Sequence, residues 1–100
     1  MHTNRITQLE QILAENPNNT FALFALAKEY EKHQNFILSI QLFEKLIVID
    51  ELYIGAYYHL AKIYAQIDEV NKALNIYEQG IFIAQRLNDL HSLKKKKNAK

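Results

Sequence analysis

The chain has 100 residues, 49% hydrophobic and 23% charged, a composition that fits one globular domain and excludes a disordered polymer. It has no cysteine, which removes disulfides, thiolate zinc sites and cysteine nucleophiles together, and its two glycines and one proline are too few for the tight turns of an all-β fold. The net charge of +1 is uneven: residues 1–93 hold seven Lys/Arg against eleven Asp/Glu, while the last seven, KKKKNAK, carry five lysines and no acid.

Helices are predicted near 4–15, 20–33, 36–48, 54–67, 70–84 and 87–97. The first carries Ile6, Leu9, Ile12 and Leu13 on the side that must meet its neighbour. In the second, Leu23, Leu26, Ala27 and Tyr30 recur at i, i+3, i+4 and i+7, one face of a helix. The polar HQN at 33–35 breaks the pattern, and Asn35 is the expected N-cap of the third helix. Ile40, Phe43, Leu46 and Ile47 form the answering stripe of that helix. The fourth and fifth repeat the second and third. Gly80 falls within the fifth at a cost of about 1 kcal/mol relative to alanine, and is read as a close approach to the sixth helix, with a local kink as the alternative. The sixth is expected to cap the far end.

The stretch LAKEY at Leu26 returns as LAKIY at Leu60, 34 residues later. In the same register Ser39 meets Ala73, Ile40 meets Leu74, Phe43 meets Tyr77 and Glu44 meets Glu78. Small falls on small and aromatic on aromatic, as in a repeat array. Ala27 and Ala61 are small because two helices must cross closely there.

These residues resemble the tetratricopeptide repeat family over roughly residues 5–85. Its large first residue falls on Leu23 and Tyr57, its Leu-Gly pair on Leu26-Ala27 and Leu60-Ala61, and its tyrosine on Tyr30 and Tyr64. Its small residue in the second helix falls on Ser39 and Ala73, and its aromatic on Phe43 and Tyr77. The closing proline is present only as Pro17, with Glu51 and Gln85 at the later equivalents. The resemblance implies an all-α fold, a right-handed superhelical array of antiparallel helix pairs. It divides a single domain into a half-repeat helix (1–17), repeat one (20–53), repeat two (54–87) and a capping helix with basic tail (88–100).

The resemblance also implies a concave face, lined by the first helix of each repeat, that binds a peptide or partner protein in a scaffold or adaptor role. The residues turned toward it are Phe21, Phe24, Lys28, Glu31 and Lys32 in one repeat and Gly55, Tyr58, Lys62, Ala65 and Gln66 in the next, with Ala25 and His59 beside them. An aromatic residue one turn before a lysine occurs twice, as Phe24/Lys28 and Tyr58/Lys62, a lining suited to an acidic peptide. One branch of the family clamps the C-terminal carboxylate of chaperones. Here Phe24 stands in place of its lysine, Lys28 and His59 replace its asparagines, and a third repeat is missing, so that role does not carry over.

Two rival surfaces remain. Ile37 and Leu38 are apolar where the equivalents Asn71 and Lys72 are polar. The first helix, which needs a surface, is expected to fold over them; exposed, they would form a self-association patch and favour a homo-oligomer. The lysines from Lys94 onward would attract phosphates, yet no aromatic is interleaved with them, so a solubilising cap is expected and specific nucleic-acid recognition is not. The histidines at 2, 33, 59 and 91 lack i, i+3 or i, i+4 pairing, and neither a glycine-rich phosphate loop nor a nucleophile motif is present. No enzyme activity, metal or cofactor is expected. With no signal-like apolar run at the N-terminus and no stretch near the roughly 18–20 residues of a membrane span, the expected address is the cytoplasm.

Overall fold

The computed structural model describes residues 4–98, with side chains through Lys94. They form five helices: α1 (Asn4–Glu15), α2 (Thr20–Lys32), α3 (Phe36–Ile49), α4 (Ile54–Gln66) and α5 (Val70–Asn98). Consecutive helices pack against one another, and α2 also touches α4, so the helix pairs stack into an all-α array as the resemblance implies. Among the described residues no helix is long and apolar enough to cross a membrane.

The helix ends arise from local chemistry. Asn19 and Asn35 cap α2 and α3, accepting hydrogen bonds from the backbone of Ala22 at 3.0 Å and Leu38 at 3.4 Å. The turns after α2 and α4 are a matched pair. Gln34 (φ 62°) and Asp68 (φ 64°) both take the left-handed conformation, and Asn35 and Glu69 then donate back to the Tyr30 and Tyr64 carbonyls at 2.8 Å. Those bonds satisfy helix-end carbonyls and offset the steric cost of a side chain at positive φ.

The core is the repeat pattern made solid. Leu23, Ala27, Phe43, Leu46, Leu60 and Ile63 are buried in one cluster, and Ile6, Leu9, Ala22, Leu26 and Tyr30 in a second under α1. Ser39 is fully buried with its hydroxyl donating to the Ala27 carbonyl at 2.8 Å. That bond lets a polar residue occupy the small crossing position which alanine fills in repeat two. Tyr57 donates to the Glu51 carbonyl at 2.7 Å, tying α4 to the turn before it. Burial is the main cause holding the Tyr57 phenol above its ordinary pKa.

Three expectations are corrected. No break separates 70–84 from 87–97: α5 runs unbroken to Asn98, so residues 88–98 extend that helix and do not fold back as a cap. Nothing between Ala84 and Asn98 is glycine or proline, so nothing there stops a helix. Gly80 approaches α4, not a terminal helix: a Cβ there would lie 2.9 Å from the Tyr57 Cβ. Finally, α1 packs on α2 and leaves Ile37 uncovered at 74% exposure, with Leu38 also exposed.

Candidate partner-binding groove

Side chains of α2 and α4 face each other across a cleft of about 320 Å3. Lys28, Glu31 and Lys32 come from α2, His59, Lys62 and Gln66 from α4, and Gln34 and Phe36 close the end near the first turn of α3. Positions 28, 31 and 32 share one face of α2 because three and four residues make one helical turn; 59, 62 and 66 do the same in α4.

Glu31 organises the cleft. It accepts from Lys62 Nζ at 2.8 Å through one oxygen and faces His59 Nδ1 at 3.0 Å through the other. The Glu31 hydrogen bond is the main reason the Lys62 ammonium is held above its ordinary pKa. For His59 the balance goes the other way. Burial lowers its pKa and, with the charges of Lys62 and Lys28, outweighs the attraction of Glu31. His59 is thereby shifted toward its neutral form, and because a carboxylate only accepts, the Nδ1 that faces Glu31 is the nitrogen suited to donate. Its ring stacks on Phe43 at 5.6 Å with planes 6° apart, and meets Phe24 and Tyr58 edge-on.

In both aromatic–lysine pairs the ammonium lies over the ring. Lys28 Nζ lies 5.3 Å from the Phe24 ring centroid and Lys62 Nζ 5.7 Å from that of Tyr58. They are not equivalent. Lys62 is already paired with Glu31, whereas among the described residues neither Lys28 nor Lys32 pairs with a carboxylate. The accessible positive charge therefore sits at the α2 side of the cleft.

The remaining expected site residues scatter. Phe24 is partly buried between Phe43 and Tyr53, at 5.9 and 5.0 Å, and does not line the cleft itself. Phe21 is exposed outside the cleft, over a hollow shared with Arg5, Phe24 and Lys28. Ile37 is separated from the exposed Val48 by Gln41, Glu44 and Lys45, so the apolar surface of α3 is discontinuous. Of the lysine tail, the side chains from Lys95 on lie outside the described residues. Among the described residues no group of His, Cys, Asp and Glu is arranged to hold a metal ion.

Sequence reasoning placed Glu31 on the correct face without giving it a role, and overlooked Gln34 and Phe36. A signal for Glu31 was available: it is the one acid on a face otherwise lined by lysines, and its equivalent one repeat later is Ala65.

No family model matches the chain, and no curated protein matches it in sequence. Solved structures do. The crystal structure of a tetratricopeptide repeat domain protein from Salinibacter ruber is 38% identical, covering 78% of this chain and 93% of that one with a TM-score of 0.65. The solution NMR structure of the Salinibacter ruber domain gives 39% identity, 82% and 86% coverage, and a TM-score of 0.67. MamA superposes with a TM-score of 0.82 at 20% identity over 84% of this chain, a likeness of fold alone. The chain spans about half of MamA's length, 49%.

Proposed function

The chain belongs to the tetratricopeptide repeat family, and we propose that it binds an acidic, extended segment of a partner protein in the α2–α4 cleft, as an adaptor without enzymatic activity of its own. One observation carries this reading. Lys28 and Lys32 line the cleft without a carboxylate partner among the described residues, beside the rings of Phe36 and His59. Unpaired cations in a preformed recess form charge-assisted hydrogen bonds with carboxylates, while the rings supply apolar area. Glu31, paired with Lys62 and facing His59, fixes both side chains in place.

Fluorescence polarisation with a panel of Asp/Glu-rich labelled peptides tests the proposal. Lys28→Glu with Lys32→Glu should weaken the tightest peptide at least about tenfold, the effect of losing two charge-assisted contacts. Both lysines are exposed and neither belongs to the Lys62–Glu31 pair, and circular dichroism checks that the fold is kept. Unchanged affinity with an unchanged circular dichroism spectrum would falsify the reading.

A second reading, self-association through Ile37 and Leu38, rests on the exposure of both. Light scattering at increasing concentration tests it, and a mass that stays monomeric excludes it.

A further inference from the structure

The 34-residue register gives three versions of one helix face, and only two are covered. In α1 the stripe is Ile6, Leu9 and Leu13; in α3 it is Ile40, Phe43 and Ile47; in α5 it is Leu74, Tyr77 and Ile81. The first two pack into the core clusters beneath α2 and α4, with Ile6 1%, Leu9 4% and Phe43 0% exposed. Leu74, Tyr77 and Ile81 are 55%, 38% and 59% exposed. Tyr77 and Ile81, with Ile54, Tyr58 and Ala84, wall an apolar cleft of about 150 Å3 between α4 and α5.

The covered versions say what an occupant looks like. The helix over α1 presents Ala22, Leu26 and Tyr30; the helix over α3 presents Ala56, Leu60 and Tyr64. The shared stripe is Ala-x3-Leu-x3-Tyr. Each tyrosine ends on a carboxylate of the helix beneath: Tyr30 Oη donates to Glu10 at 3.0 Å and Tyr64 Oη to Glu44 at 2.7 Å. Glu10, Glu44 and Glu78 are 34 residues apart. Among the described residues Glu78 has no hydrogen bond or ion pair. The third face thus retains the acceptor as well as the apolar stripe.

Neither this chain's own last helix nor a folded second copy supplies the occupant. The third-cycle positions are Leu90, Lys94 and Asn98, which lack the stripe, and α5 carries them straight on. In a second copy Ala22, Leu26, Ala56 and Leu60 are already buried.

We propose that the open face of α4 and α5 docks an amphipathic helix of a partner protein, antiparallel to α5, whose tyrosine hydroxyl donates to Glu78. The helix carries an Ala-x3-Leu-x3-Tyr stripe preceded by a small residue. That small residue lies over Tyr58 as Gly55 lies over Phe24, where a Cβ would sit 3.2 Å from the ring. This site is separate from the α2–α4 cleft and continues the array's own helix-on-helix interfaces.

The probe is the sequence of α4 itself, a capped synthetic peptide of residues 53–67, titrated into the isotopically labelled full chain and followed by amide NMR. Saturable shifts at Leu74, Tyr77, Glu78 and Ile81 are expected. Ile81→Glu, at an exposed position, should weaken binding at least tenfold with the spectrum otherwise preserved. A peptide carrying Tyr64→Phe should bind several-fold more weakly to the wild-type chain but lose nothing further on Glu78→Gln. Absence of α5 shifts at millimolar peptide, equal binding by Ile81→Glu, or shifts spread through α3 would overturn the proposal. So would movement of the same α5 resonances on simple dilution, which would assign the face to a second copy.

Discussion

Gly80→Ala puts opposite physical effects in direct competition. In an exposed helix this change stabilises by about 1 kcal/mol, because alanine loses less backbone entropy than glycine. Here the added Cβ would stand 2.9 Å from the Tyr57 Cβ and 3.5 Å from its Cγ, against an ordinary carbon–carbon separation of about 3.5–4.0 Å. The obstructing atom is the root of a side chain on a packed helix, so no rotamer change relieves it. The axes of α4 and α5 must separate, and overpacking of this kind costs about 1–3 kcal/mol. The cost exceeds the propensity gain, leaving a net loss of about 1 kcal/mol or somewhat more, equivalent to about 4–8 °C in Tm for a chain of this size. Repeat one differs: Leu46 stands at the equivalent of Gly80 and Leu23 at that of Tyr57, and both are buried in one cluster. Gly55→Ala is the internal control. Its nearest neighbour is the far edge of the Phe24 ring at 3.2 Å, which yields by tenths of an ångström. Urea unfolding monitored at 222 nm should rank Gly80→Ala below the wild type and below Gly55→Ala. A Gly80→Ala variant more stable than the wild type would refute the close crossing.

Two further measurements concern the titrating groups. Because burial holds the folded pKa of His59 below 6.5, the unfolded chain binds the proton more readily, and stability is lost as pH falls below 6.5 through the folded value. Urea midpoints compared at about pH 7 and pH 5 should drop in the wild type and drop less in His59→Gln; equal slopes would contradict the burial assigned to the ring. The Tyr64 phenol is raised to about 12, first by burial and then by its hydrogen bond to Glu44. Its contribution is therefore complete below pH 10 and lost as pH rises toward 12. Tyr64→Phe should cost about 1 kcal/mol, the net worth of one hydrogen bond, and remove the latest-titrating component of the tyrosinate absorbance. A tyrosinate curve unchanged by that substitution would contradict the assignment.

The array was legible because its packing is local and periodic. Leu23, Leu26, Ala27 and Tyr30 meet the same neighbours in each cycle, so the 34-residue register names the core without any distance measurement. The turns were partly legible: Asn35 announced itself as a cap and Asp68 is of a type enriched at positive φ, but Gln34 is not. Gly80 signalled a close approach without saying which neighbour approached. The long α5 was missed for a related reason. A repeat expects a turn near Gln85, yet a helix ends only where a residue or a partner ends it, and Gln85 and Arg86 are good helix formers. In the groove the sequence placed Lys28 and Lys62 on one face and in one register, which made them look alike. Only the stacking of α4 on α2 brings Glu31 to Lys62 and leaves Lys28 unpaired. That difference depends on the superhelical path, which no residue spacing encodes.

The two ends of the array are asymmetric, and the asymmetry bears on stability as well as recognition. At one end α1 closes the stripe of α2. At the other, α5 leaves its stripe open to water and extends well past the start of α4. In a solenoid each repeat is stabilised by its own packing and by the interface with its neighbour. Repeat two therefore lacks one interface that repeat one has. Opening should begin at α5, whose amides should exchange faster than those of α3 despite similar helix propensity. A helix bound on Leu74, Tyr77 and Ile81 would supply the missing interface, because a ligand that binds only the folded state raises its stability. Protection of the α5 amides would then rise toward that of α3.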